Sequence, residues 1–155
     1  MRRKFYNNTN SINDWNSQLR STEFKEILGI DLEAPQNVKT GPYGNIYTGY
    51  FKAPTTARYR FYMTCDDYCL LNFGNEPMNP NNVTKILEFT HWTSYRNYFN
   101  IARNRISSWV NLTQGEFYFI DARHIQGAGG DHFTVSVEIE DPNAPNGHHH
   151  SMREI

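Results

Sequence analysis

Phe133, Val135, Val137 and Ile139 stand two residues apart, with Thr134, Ser136, Glu138 and Glu140 between them. A side-chain period of two describes a strand with one face on a core and the other on water. The pattern recurs in Arg58–Thr64, where Tyr59, Phe61 and Met63 share a face opposite Arg58, Arg60 and Tyr62. Cys69, Leu71 and Phe73 make a second such face, and Tyr118, Ile120 and Ala122 a third. Parallel strands, buried on both sides, read as continuous apolar runs, so one-sided alternation predicts antiparallel sheets with one wet face. Their inner faces need a second layer. The expected fold is all-β: an antiparallel β-sandwich or flattened barrel. Ten Tyr and ten Phe in 155 residues suit such half-buried pleated surfaces.

The stretch Ser11–Ile30 reads differently. Ser11 and Asp14 have the spacing of a weak capping box, and Phe24, Ile27 and Leu28 follow Ser21-Thr22 at helical spacing before Gly29. Short helices are therefore expected near the N-terminus. Pro35 to Gly44 is rich in turn formers, Asn75–Asn82 is a long polar loop, and Asp141–Gly147 reads as a linker. These boundaries predict one domain over residues 1–140. Residues 141–155 are expected to lead into a further region of a longer protein, with Arg153-Glu154-Ile155 starting another strand. His148-His149-His150 is an affinity-tag remnant, a native loop or a metal site, and is read first as a native loop.

A chain of this length buries roughly 70% of its unfolded surface and needs no staple. The net charge of -1 argues against a nucleic-acid partner, which leaves a basic stripe. No apolar run approaches the ~18 residues of a membrane span, and the basic, polar Met1–Asn10 is no signal peptide. Asn7, Asn82 and Asn111 each open an N-x-Ser/Thr sequon, which points outward, to an extracellular or cell-surface glycoprotein. The expectation that satisfies both is a piece of a longer secreted or membrane-anchored protein.

Two loops carry possible chemistry. Asp66 and Asp67 sit side by side between the strand ending at Thr64 and the strand starting at Cys69. Adjacent carboxylates repel, and a hard cation with six to eight oxygen ligands relieves that repulsion. Acidic residues also favour turns for their own backbone bonds. The second loop, His124–His132, contains Gly127, Gly129, Gly130 and Asp131, whose glycines can turn carbonyls inward. A disulfide between Cys65 and Cys69 would pin the first loop if their α-carbons come within ~4.4–6.8 Å; the alternative is an inward thiol packed as a small apolar residue. An extracellular setting favours the bridge. His124 and His132 lack the further ligands of a zinc site and read as neutral residues orienting the loop. Trp92, Trp109 and Tyr68 are aromatic surfaces for a sugar ring or, more commonly, packing residues. The chain holds no G-x-S-x-G elbow, H-E-x-x-H helix or phosphate loop, and Asp66 with Asp131 makes a poor glycosidase pair. No enzyme is expected.

Tyr47-Thr-Gly-Tyr-Phe-Lys-Ala-Pro54, Tyr59-Arg-Phe-Tyr-Met-Thr-Cys-Asp-Asp67, Leu112-Thr-Gln-Gly115 and the Gly-Ala-Gly-Gly-Asp131 loop resemble the protective-antigen fourteen-kilodalton domain family. The order holds from about Arg3 to Glu140, and His124–His132 is most similar to the fibrocystin-like branch. The family is a β-sandwich found in toxins, glycosidases, yeast adhesins and surface receptors. In its lectin members two adjacent aspartates joined by a cis peptide bind calcium, and the calcium binds sugar hydroxyls. Carried over, the resemblance implies calcium at Asp66 and Asp67, completed by Gly129, Gly130 and Asp131, with Gln126 and Tyr68 near the ligand. Flocculin-type adhesins often place an Asn in the second loop, where this chain offers Gly129, Gly130 and Asp131. The implied function is a calcium-dependent, lectin-like recognition or adhesion module with a glycan partner. The alternative is a structural module packing against neighbouring extracellular domains.

Overall fold

The computed structural model describes residues 1–7, 24–28, 32–34, 42–98, 106–140 and 152–154. Among the described residues eleven strands follow in chain order: β1 (Arg2–Asn7), β2 (Phe24–Leu28), β3 (Glu33–Ala34), β4 (Tyr43–Lys52), β5 (Ala57–Asp66), β6 (Tyr68–Pro77), β7 (Val83–Phe89), β8 (Val110–Leu112), β9 (Phe117–Gln126), β10 (His132–Ile139) and β11 (Met152–Glu154). One sheet runs β2-β1-β4-β9-β6-β7 and the other β11-β10-β5-β8, with β3 also on β10. Every pairing between these strands is antiparallel. The two sheets form the expected all-β sandwich.

The alternating residues make its core. Tyr59, Phe61, Met63 and Cys65 of β5 and Phe133 of β10 are completely buried, facing Leu71, Phe73, Tyr118, Ile120 and Ala122 of the first sheet. Phe61 and Phe73 meet with ring centroids 4.6 Å apart, and Tyr47 stacks on Phe133 at 5.2 Å. Aromatic pairs of this kind add packing energy beyond the area they bury.

Two expectations are corrected. Phe24–Leu28 is a strand and not a helix, paired along its length with β1 from Arg2↔Leu28 to Tyr6↔Phe24. Five residues are too few to repay helix nucleation, whereas the edge of β1 offers ladder partners at once. The rest of the helix-like stretch lies outside the described residues, as do the Asp141–Gly147 linker and His148–His150. The second correction concerns the outer face of β5 and β10, which is not uniformly wet. Thr64, Thr134, Ser136 and Glu138 are buried there. Thr64 and Thr134 hydroxyls lie 2.8 Å apart, and Tyr98 donates to Thr134 at 2.8 Å. Alternation reports polarity, and polar side chains can be buried when they find partners.

Met152–Glu154 pairs with β10 through Ser136↔Glu154 and so adds a strand to the second sheet. The topology brings the ends of five strands, β4, β5, β6, β9 and β10, together at one pole of the sandwich. Asp66 is opposite His132, Tyr68 opposite Ile125, and Tyr43 opposite Gln126.

Candidate functional site

Asp66 ends β5, Asp67 forms the turn, and Tyr68 starts β6. Cys65 and Cys69 are joined by a disulfide across that turn, with α-carbons 6.2 Å apart. The Asp66–Asp67 peptide bond is cis. Both polar atoms of this peptide are held by consecutive residues of β9. The Asp66 carbonyl oxygen lies 2.6 Å from His124 Nε2, and the Asp67 N–H donates to the Ile125 carbonyl at 3.0 Å.

The second loop closes on the first. Gly127 N–H donates to Asp67 Oδ2 at 2.8 Å. A β-carbon at Gly127 would stand 2.8 Å from that same oxygen, so a side chain there would displace the Asp67 carboxylate. Gly129 has φ of +92°, a left-handed turn conformation that L side chains rarely adopt. Gln126 is fully buried and ties the turn from inside, its Nε2 donating to the Gly130 carbonyl at 2.7 Å. Its Oε1 is buried and accepts no hydrogen bond. Asp131 is buried and accepts from the Tyr43 hydroxyl at 2.5 Å.

The electrostatics follow from this crowding. Burial, a hydrogen bond to Asp67 and the charges of Asp67 and Asp131 push the Asp66 carboxyl up to about 7. Burial and Asp131 push the Tyr43 hydroxyl far above the usual phenol range, so it stays a donor. Burial holds His124 down to about 4, so the ring is neutral at physiological pH. Among the described residues no Lys or Arg is paired with Asp66 or Asp67.

Asp66, Asp67, Gln126, Gly129, Gly130 and Asp131 therefore share one pole. Tyr68 is there too, largely buried, with its hydroxyl given to Glu88 at 2.8 Å. Trp92 is 55% exposed. Its neighbour Thr93 is laced to Cys65, N–H to carbonyl at 2.7 Å and Oγ1 from the Cys65 N–H at 2.8 Å. Trp109 is not brought to this pole. It lies under Arg60, 4.7 Å from guanidinium to ring, beside the start of β5. Asn111 is exposed on β8, while Asn82 is engaged in its turn by Asn75 Nδ2 at 2.7 Å. Sequence reading missed Tyr43, Asn45 and Thr93, which support the loops from 28 to 88 positions away. No local signal marks them.

The model of the GLEYA domain matches residues 43–139. In fold, the chain is similar to the epithelial adhesin 9 A domain of Candida glabrata, solved with Galβ1-4GlcNAc, at 14% identity and a TM-score of 0.65, covering 98% of this chain and 84% of that one. It is similar to a PA14 sugar-binding domain from an RTX adhesin at 9% identity and a TM-score of 0.66, covering 99% and 93%. A β-glucosidase from Kluyveromyces marxianus contains the fold as well, at 14% identity and a TM-score of 0.54, over 92% of this chain but 16% of the enzyme. No curated protein matches in sequence. The protective-antigen resemblance thus holds in fold, and the family model that matches is GLEYA.

Proposed function

The chain belongs to the GLEYA domain family, and from its loop pole we propose a non-enzymatic recognition module of a secreted or cell-surface protein that binds glycans through calcium held at Asp66 and Asp67. One observation carries this reading. Two half-buried carboxylates crowd one turn with the charge of Asp131 close by, and no cationic side chain among the described residues is paired with either. A bound cation would neutralise that concentration of charge.

The donors suit a hard cation. They are oxygens: the Asp66 and Asp67 carboxylates, the carbonyls of the glycine turn and the partnerless Gln126 Oε1. Calcium takes an all-oxygen set of this kind, whereas structural zinc sites are built on Cys sulfur and His nitrogen. No group of three or more His, Cys, Asp or Glu among the described residues makes a metal centre by side chains alone. Loop carbonyls and sugar hydroxyls would therefore complete the shell. Calcium, when bound, supplies coordination positions for those hydroxyls. The chain's own residues do the rest: Asp66 and Asp67 hold the ion, Asp131 adds negative potential behind them, and Tyr43 and Gln126 keep the second loop in register. Trp92 offers an exposed aromatic face for a sugar ring beside the disulfide-clamped turn. The adhesin and sugar-binding domains that share the fold favour a glycan as the ligand. Asn111, exposed on β8, is the better-placed acceptor among the sequons.

A second reading, packing against a neighbouring extracellular domain, has its own support. Tyr50, Phe117 and Met78 are 40%, 41% and 60% exposed at the opposite end of β4 and β9. Titration calorimetry separates the two. The chelator-treated domain should bind calcium, Asp66→Asn and Asp67→Asn should bind none, and a glycan array should light only in calcium. An intact domain that takes up no calcium would sink the lectin reading and leave the packing module.

A further inference from the structure

The Asp66 carbonyl is anchored by a side chain that is itself anchored, and the run of bonds has a forced direction. It starts on β1, where Arg3 Nε lies 2.9 Å from Asn45 Oδ1. A guanidinium only donates, so the oxygen accepts and the orientation of the Asn45 amide is assigned. Asn45 Nδ2 then faces His124 Nδ1 at 3.2 Å. An amide NH₂ only donates, so Nδ1 must be bare. The neutral ring carries its proton on Nε2, 2.6 Å from the Asp66 carbonyl, which only accepts. A donor-only group at one end and an acceptor-only group at the other leave each intermediate atom a single role.

The members have little freedom to leave. Asn45 and His124 are wholly buried. The imidazole is stacked on Phe133 at 5.6 Å and meets Tyr43 edge-on at 5.7 Å. The Arg3 guanidinium lies 5.5 Å from the Tyr47 ring and 5.8 Å from that of Phe5. Buried polar chains of this kind lose more than one bond when a member is removed, because the remaining groups stay desolvated.

We infer that Arg3, Asn45 and His124 form a positioning relay, through which the seating of β1 in one sheet holds the Asp66 carbonyl of the other sheet and so sets the ligand loop. None of the three is a ligand; each acts through Asp66. The last arm of the test rests on the proposed calcium site, and the first two do not.

In the isotope-labelled, calcium-free domain, ring-nitrogen NMR should find His124 neutral, protonated at Nε2 and bare at Nδ1. The opposite tautomer, or a charged ring at neutral pH, overturns the relay, and this arm needs no variant. In Arg3→Met the Nε2 proton should exchange about tenfold faster while ladder amides of β4 and β9 keep their protection. Unchanged Nε2 exchange overturns the part played by β1. In the third arm Arg3→Met should weaken calcium about tenfold, and Arg3→Lys, which still donates, should retain most of the affinity. Losing a positive charge would by itself favour a cation, so a weaker site reports lost positioning. Equal affinity in Arg3→Met overturns the coupling to the site. An intact domain without calcium affinity fails the lectin reading alone, and the tautomer and exchange arms then decide the relay.

Discussion

A buried and a half-buried group at the site, His124 and Asp66, titrate in opposite senses. His124 is held down to about 4 from 6.5, so between those values the folded chain binds fewer protons than the unfolded one. Its contribution to stability is present above about 6.5 and is lost as the pH falls through about 4, roughly 3 kcal/mol in all. Asp66 is raised from 3.8 to about 7, so the folded chain there binds more protons. That contribution is present below about 3.8 and is lost as the pH rises through about 7. In the calcium-free domain the two offset each other over most of the acid range. Asp66→Asn should therefore be more stable than the parent at pH 8 without calcium, and its stability should climb steadily from pH 4 to 6.5. Urea titrations across pH in chelator read this directly. A parent that equals or exceeds Asp66→Asn at pH 8 would mean that the carboxylate crowding costs nothing. The pairing of two aspartates is legible in the sequence; that burial and Asp131 add to the cost is not.

Among the strands, β9 is the organising element. It lies between β4 and β6 in the first sheet, and its last residues supply His124, the Ile125 carbonyl and Gln126 to the site. Its fit against β6 has no slack at one point. A β-carbon on Gly74 would stand 2.9 Å from the Phe119 backbone nitrogen. Backbone cannot swing aside as a side chain does, so Gly74→Ala should cost about 1–3 kcal/mol. Denaturant unfolding checks it, and a change under a few tenths would show that the two strands separate freely. Nothing in the alternation of β6 distinguishes Gly74 from any strand glycine, because the neighbour that excludes a side chain is 45 positions away. The misread Phe24–Leu28 is the same lesson at element scale. Its helical spacing is a local preference of a few tenths of a kcal/mol per residue, and pairing with β1 outweighs it.

Aromatic side chains meet across the two sheets. Phe73 of the first sheet touches Phe61 of the second at 4.6 Å, and within its own sheet it packs on Tyr118 at 5.9 Å and Phe51 at 6.4 Å. Phe73→Ala should cost about 3–5 kcal/mol, a large share of the 5–15 kcal/mol that holds a domain of ordinary stability. Thermal unfolding should show it, with calcium affinity of the folded fraction unchanged because Phe73 does not reach the loop pole. A melting point within a degree or two of the parent would mean that the sandwich is held together elsewhere. By itself the sequence determined the class of the molecule: a period of two fixes which side chains face inward, and one-sided alternation needs a second sheet. It also marked Asp66, Asp67 and the glycine loop, since their composition is local. Only the tertiary structure decided which strands are neighbours, and with them the partners of the site. Arg3 and Asn45 are 42 positions apart, Asn45 and His124 79, Tyr43 and Asp131 88. Periodicity states the face a residue occupies and says nothing of the residue opposite it; that depends on strand order and register, which the packing of the whole chain selects.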